Sequence, residues 1–129
     1  MQDRPSAAEL LDAVRGFLEK DVVPALDGTA KFHARVAANV LAIVGRELTL
    51  EPGHLAAEWQ RLDALLGTEP MPEDPATLAA AVRRRSATLC ERIRSGEADE
   101  DPFRAAVLDH VTATVRAKLA ITNPKMLDA

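Results

Sequence analysis

Apolar residues recur at helical spacing along most of the chain, and start and stop signals bound five helices. The first, over 6–22, places Leu10, Leu11, Val14, Phe17 and Leu18 on one side, with Glu9, Asp12, Glu19 and Lys20 opposite. It opens on Ser6-Ala7-Ala8-Glu9, a capping box in which Ser6 and Glu9 satisfy each other's free backbone N–H groups. Pro24 predicts its end near Val22, and Asp27-Gly28-Thr29 predicts a turn. The second helix covers 30–48, and Glu51-Pro52-Gly53 reads as a break. The third covers 52–66, with Leu55, Trp59, Leu62 and Leu66 on one stripe and Gly67 at the left-handed cap.

Pro70 and Pro72 make the following segment, 68–73, stiff and extended. It reads as a crossover inside one domain, since neither half of the chain is long enough to bury a core alone. The fourth helix, 75–95, starts with Asp74 as N-cap and Pro75 at the first helical position, and stops at Gly96. The fifth, 102–122, repeats the device with Asp101 and Pro102, and Asn123-Pro124 ends it. No alternating strand pattern of useful length occurs. The pattern therefore predicts an all-α fold: a single-domain bundle of about five helices over residues 1–129.

The second helix differs from the others. Phe32, Val36, Val40, Ile43 and Val44 cover one broad face, and Ala34, Ala38, Ala42 and Gly45 cover much of the opposite one. A helix that is apolar or small all round is usually buried, so 30–48 is expected to be the central helix. Its polar residues then carry information. Arg35, Asn39 and Arg46 fall within about 40 degrees of one another on a seam between the two faces, and His33 falls on the large apolar face. Unpaired burial of such groups costs several kcal/mol. Either they tie this helix to its neighbours, or they form a shallow site where two guanidiniums and an amide hold a carboxylate or phosphate.

Composition narrows the function classes. The chain of 129 residues is 47% apolar and 28% charged, in the range of ordinary globular domains. Its net charge of −4 and its scarcity of aromatics, three Phe, one Trp and no Tyr, argue against nucleic acid as a partner. The longest apolar run, 36–45, is too short to span a membrane and is interrupted by Asn39. With no signal-peptide pattern and a single cysteine, Cys90, the expectation is a cytoplasmic protein. Cys90, beside Leu89, reads as a small core residue.

The basic helix 75–95 carries Arg83, Arg84, Arg85 and Arg92. These form either a solvated face or a surface for an acidic partner. His33, His54 and His110 have no metal-ligand spacing, and nothing calls for a cofactor. There is no glycine-rich phosphate loop, nucleophile elbow or dinucleotide fingerprint, so a self-sufficient enzyme is not expected.

Three stretches carry a family resemblance. The opening Arg4-Pro5-Ser6-Ala7-Ala8-Glu9-Leu10-Leu11, the middle Phe32-His33-Ala34-Arg35-Val36-Ala37-Ala38-Asn39 with Arg46-Glu47-Leu48, and the ending Lys118-Leu119-Ala120-Ile121-Thr122-Asn123-Pro124 resemble a family of short bacterial all-helical proteins of unknown function. The middle stretch is the most specific and contains His33, Arg35 and Asn39. Members of that family are encoded beside an aminoglycoside-phosphotransferase-like kinase and an acyl-CoA dehydrogenase. The resemblance implies a non-catalytic accessory protein that partners such a kinase in acyl-CoA catabolism. Two other readings stand beside it: a domain binding a small anionic ligand, or a cryptic enzyme, at Arg35, Asn39 and Arg46; and a homodimer with a structural role.

Overall fold

A computed structural model describes residues 3–129. They form four α-helices: α1 (Ala7–Phe17), α2 (Gly28–Leu66), α3 (Pro75–Arg94) and α4 (Phe103–Thr122). There is no strand among the described residues. Short helical turns follow α1, a π-helix over Leu18–Val22 and a 3-10 turn over Val23–Ala25, and a second 3-10 turn covers Pro124–Leu127.

Local chemistry explains the ends. Ser6 Oγ accepts from the Glu9 N–H at 3.2 Å, and the Glu9 carboxylate accepts from the Ser6 N–H at 2.7 Å, so the capping box forms. Asp74 caps α3, accepting from the backbone N–H and the hydroxyl of Thr77 at 2.8 and 2.7 Å. Gly67 closes α2 at φ 101° and Gly96 sits at φ 93° after α3, a left-handed region that costs glycine little. The chain widens to a π turn ahead of Pro24, where the Val23 N–H donates to the Leu18 carbonyl five residues back.

The five expected helices become four. Segments 30–48 and 52–66 belong to one 39-residue helix, with Pro52 inside it. Proline within a helix leaves the carbonyl four residues back, that of Leu48, without its donor, at a cost of about 3 kcal/mol. Its fixed φ nevertheless suits a helical residue. The turns beyond Pro52 reward continuing: Trp59 and Leu62 are buried, each contributing about 1.5–3 kcal/mol on transfer from water.

The chain divides into two compact units. One takes the chain up to Glu51 together with Ala120–Ala129; the other is Pro52–Leu119. The break signal at Pro52 therefore marks the border between units, inside a continuous helix. The second unit holds a core of Trp59, Leu62, Leu78, Val82, Leu89 and Val107, flanked by half-buried Leu55, Leu65, Leu66 and Phe103. In the first unit only Val23 and Ala38 are buried among the described residues.

The expectation of a central, buried helix over 30–48 is not met. Phe32, Val36 and Val40 are 61, 44 and 49% exposed. The small side is the better covered: Ala38 is buried and Ala34, Ala42 and Gly45 are half-buried, as are Ile43 and Val44 at the end of the large face. Periodicity reports which faces are apolar; it does not report what covers them. Cys90, expected in the core, is exposed on α3.

Candidate functional site

Two clefts of the first unit share Ala42. The larger, about 420 Å³, lies between α1 and the first half of α2. Its walls combine Leu11, Leu41 and Leu50 with Asp12, Arg15, Arg46 and Thr49, over a floor of Ala8, Ala42 and Gly45. The smaller, about 250 Å³, lies where Glu19 and Val23 face Arg35, Ala38 and Asn39.

The expected seam of Arg35, Asn39 and Arg46 is thus divided. Arg35 and Asn39 are exposed and line the smaller cleft. Arg46 lines the larger one and is half-buried. Its Nε donates to the Ile121 carbonyl at 2.6 Å, which fixes the plane of the guanidinium. Arg15 shares that cleft and is held by Asp12 and, at 3.2 Å, by Glu19. His33 stands apart, exposed, its ring packed edge-on to Phe32 at 5.7 Å between centroids. Sequence reasoning missed Arg15, although Asp12, Arg15 and Glu19 at three- and four-residue spacing are a visible signal of a fixed charge cluster.

Among the arginines of α3, Arg85 and Arg92 are engaged within the fold. Arg85 is 1% exposed, which removes it from any partner contact. Its guanidinium lies 4.4 Å over the Trp59 ring, donates to Asp63 Oδ1 at 2.6 Å, and donates to the Gly67 carbonyl. Arg92 donates to the Leu65 carbonyl at 3.2 Å. Arg84 pairs with Glu69 at 2.9 Å, and the Glu69 N–H donates to Asp63. These cations gather at the carboxy-terminal end of α2, where free carbonyls and the helix dipole favour positive charge. The hydrogen bond from Arg85 holds the Asp63 carboxyl below the usual carboxylate range, and the one from Arg84 does the same for Glu69. Of the four, Arg83 and Arg84 are exposed on α3.

A second polar layer lies between α2 and α4 within the same unit. Arg61 donates to the Thr114 hydroxyl at 3.2 Å, and His110 is buried beside it. Burial pushes the His110 pKa below its ordinary value; the charge of Arg61 adds to that shift and Glu58 opposes it. The shift favours the neutral imidazole. No group of three histidine, cysteine or acidic side chains stands where it could hold a metal ion among the described residues. No helix among them is long and apolar enough to cross a membrane.

No curated protein and no solved structure matches the chain. A family model does, over residues 24–126, described as a domain of unknown function, DUF6285. That span contains the middle stretch of the resemblance, Phe32–Asn39 with Arg46–Leu48, and its ending, Lys118–Pro124, while 4–11 lies outside it. With every regular element of the matched residues helical and four-fifths of the chain covered, the protein belongs to the DUF6285 family.

Proposed function

We propose that this chain is a non-catalytic interaction module whose first unit docks a larger protein. The observation that carries the reading is the unpartnered apolar surface of that unit. Leu10, Val14 and Phe17 follow one another at helical spacing on α1 and are exposed, as are Phe32, Val36 and Val40 on α2. Single exposed apolar residues need no explanation, but two helical stripes in one unit of about sixty residues are the pattern of a contact surface. The stretch that best carries the family resemblance, 32–39, lies on this surface.

The partner that the resemblance favours is the phosphotransferase-like kinase encoded beside family members, acting in acyl-CoA catabolism, and the chain would act in the cytoplasm. Docking of an apolar helical face into a groove would stabilise the larger enzyme without any chemistry from the small one. Co-expression with a kinase of that kind, followed by size-exclusion chromatography, tests this. Co-elution that Phe32→Asp and Val36→Asp abolish supports it. Separate elution at micromolar concentration, with kinase activity unaffected by the small protein, overturns it. A dimer of the small protein alone, broken by the same substitutions, would establish the homodimer in its place.

A further inference from the structure

We infer that the cleft between α1 and the first half of α2 is a binding site for a small aliphatic monocarboxylate, held by Arg46. This goes beyond the docking role and does not depend on it.

Three observations converge. The first is the state of Arg46. Its Nε is committed to the Ile121 carbonyl, while its two terminal nitrogens make no hydrogen bond to the described residues. The side chain is half-buried, yet neither terminal nitrogen is sealed from solvent without a partner. A guanidinium fixed at one edge and open at the other presents a planar donor fork, and a carboxylate is its geometric match. Ordering the side chain beforehand lowers the entropy lost on binding.

The second is charge. The cleft is lined by two arginines and one aspartate. Arg15 is already occupied by Asp12 and Glu19. The site therefore suits a monoanion. A phosphate dianion would bring a second charge towards Asp12 with no free cation to meet it.

The third is the wall. Leu11, Leu41 and Leu50 line the same cleft, and the volume of about 420 Å³ lies in the range of small-molecule pockets. A few apolar side chains with one convergent charged group recognise a short alkyl tail and its acid head. At Gly45 a Cβ would meet no atom within 4 Å, so the floor is open.

The test uses the full chain, isotope-labelled, titrated with hexanoate and followed by backbone amide shifts. 1-Hexanol and inorganic phosphate serve as comparators. Hexanoate is expected to shift amides of 8–15 and 41–50 saturably, and phosphate not to displace it. Arg46→Gln should weaken binding at least about tenfold, the loss expected for one charged hydrogen bond. Gly45→Leu should abolish binding by filling the floor while leaving the melting temperature unchanged or higher, since glycine is poor within a helix. Gly45→Leu also keeps the question open to refutation if Arg46→Gln unfolds, because it leaves Arg46 and its bond to Ile121 in place. Equal affinity for hexanol and hexanoate would reduce the cleft to an apolar crevice and overturn the proposal. So would unchanged hexanoate binding in Gly45→Leu, or no saturable shift at millimolar concentration.

Discussion

The two parts of α2, before and after Pro52, are apolar in similar proportion and use those side chains differently. From Pro52 to Leu66 the large residues point into a core: Trp59 and Leu62 are at 2 and 0% exposure, and Arg85 from α3 closes over the indole. From Gly28 to Glu51 Phe32, Val36, Val40 and Leu48 face solvent, Leu41, Ile43, Val44 and Leu50 are only half-buried, and Ala38 is the one buried residue of that stretch. The second unit holds a core of its own, although Leu108, Val111 and Val115 on α4 stay exposed. The first has a thin interior and an apolar exterior, the arrangement of a surface that another molecule completes. The difference teaches that apolar content along a helix measures how much can be buried; the neighbours decide whether it is.

Substitutions sharpen this contrast, beginning where the effect is largest. Leu62→Ala should cost about 2–5 kcal/mol in urea unfolding, because a fully buried leucine leaves a cavity that its neighbours refill only in part. A cost near zero would mean that the second unit has no fixed core. Pro52→Ala should stabilise the protein by up to about 3 kcal/mol, restoring a donor to the Leu48 carbonyl and removing the ring clash. If the border at Pro52 separates independently unfolding units, the same change should also draw their melting transitions together in a calorimetric scan.

Arg85→Ala should cost about 2 kcal/mol, the size of a desolvated cation–π contact, with Arg85→Lys recovering little because a point charge cannot reach Asp63 and the Gly67 carbonyl together. The pH dependence should be smaller. The His110 pKa is depressed on folding, so its contribution is complete above the ordinary value of about 6.5 and is lost as pH falls below that towards the folded value. Asp63, also depressed, adds a loss only at lower pH, as acid passes from the ordinary carboxylate value through the folded one. A urea midpoint that does not fall between neutral pH and the carboxylate range, or that falls equally in His110→Gln, would exclude the histidine from the effect. Smallest of all, Phe32→Ser and Val36→Ser should move stability by no more than about 0.5 kcal/mol, as surface positions do. A loss of several times that would show that α2 is packed where the structure leaves it open.

Much of the fold is legible in the sequence because caps are local. Ser6 with Glu9, Asp74 with Pro75, Gly67 and Gly96 each act within a few residues, and each ends or begins a helix as its chemistry predicts. Pro52 reads as an end because the ring's penalty is local, whereas the burial of Trp59 and Leu62 that rewards the continuing helix is not. The same limit applies to the sites. Arg35, Asn39 and Arg46 share a helical seam, but α1 and the π turn after it place Arg46 in one cleft and the other two in the next. The arginines of α3 are visible as a basic run. Their engagement with the end of α2 is not, since Asp63, Leu65 and Gly67 lie 18 to 27 residues away in sequence.

The bond from Arg46 to Ile121 spans 75 residues and has a consequence for synthesis. A ribosome delivers the first unit's helices early, yet Ala120–Ala129, which belongs to the same unit, emerges only after the whole of Pro52–Leu119. The usual order, in which the amino-terminal part folds first, does not suit this topology. The contiguous second unit can close on itself while α1 and the start of α2 wait, their leucines and Phe32 in contact with whatever stands nearby. For that interval the nascent chain offers its stickiest surface to the cell, so a binding partner present during translation would find the first unit unfinished and its apolar stripes already on show.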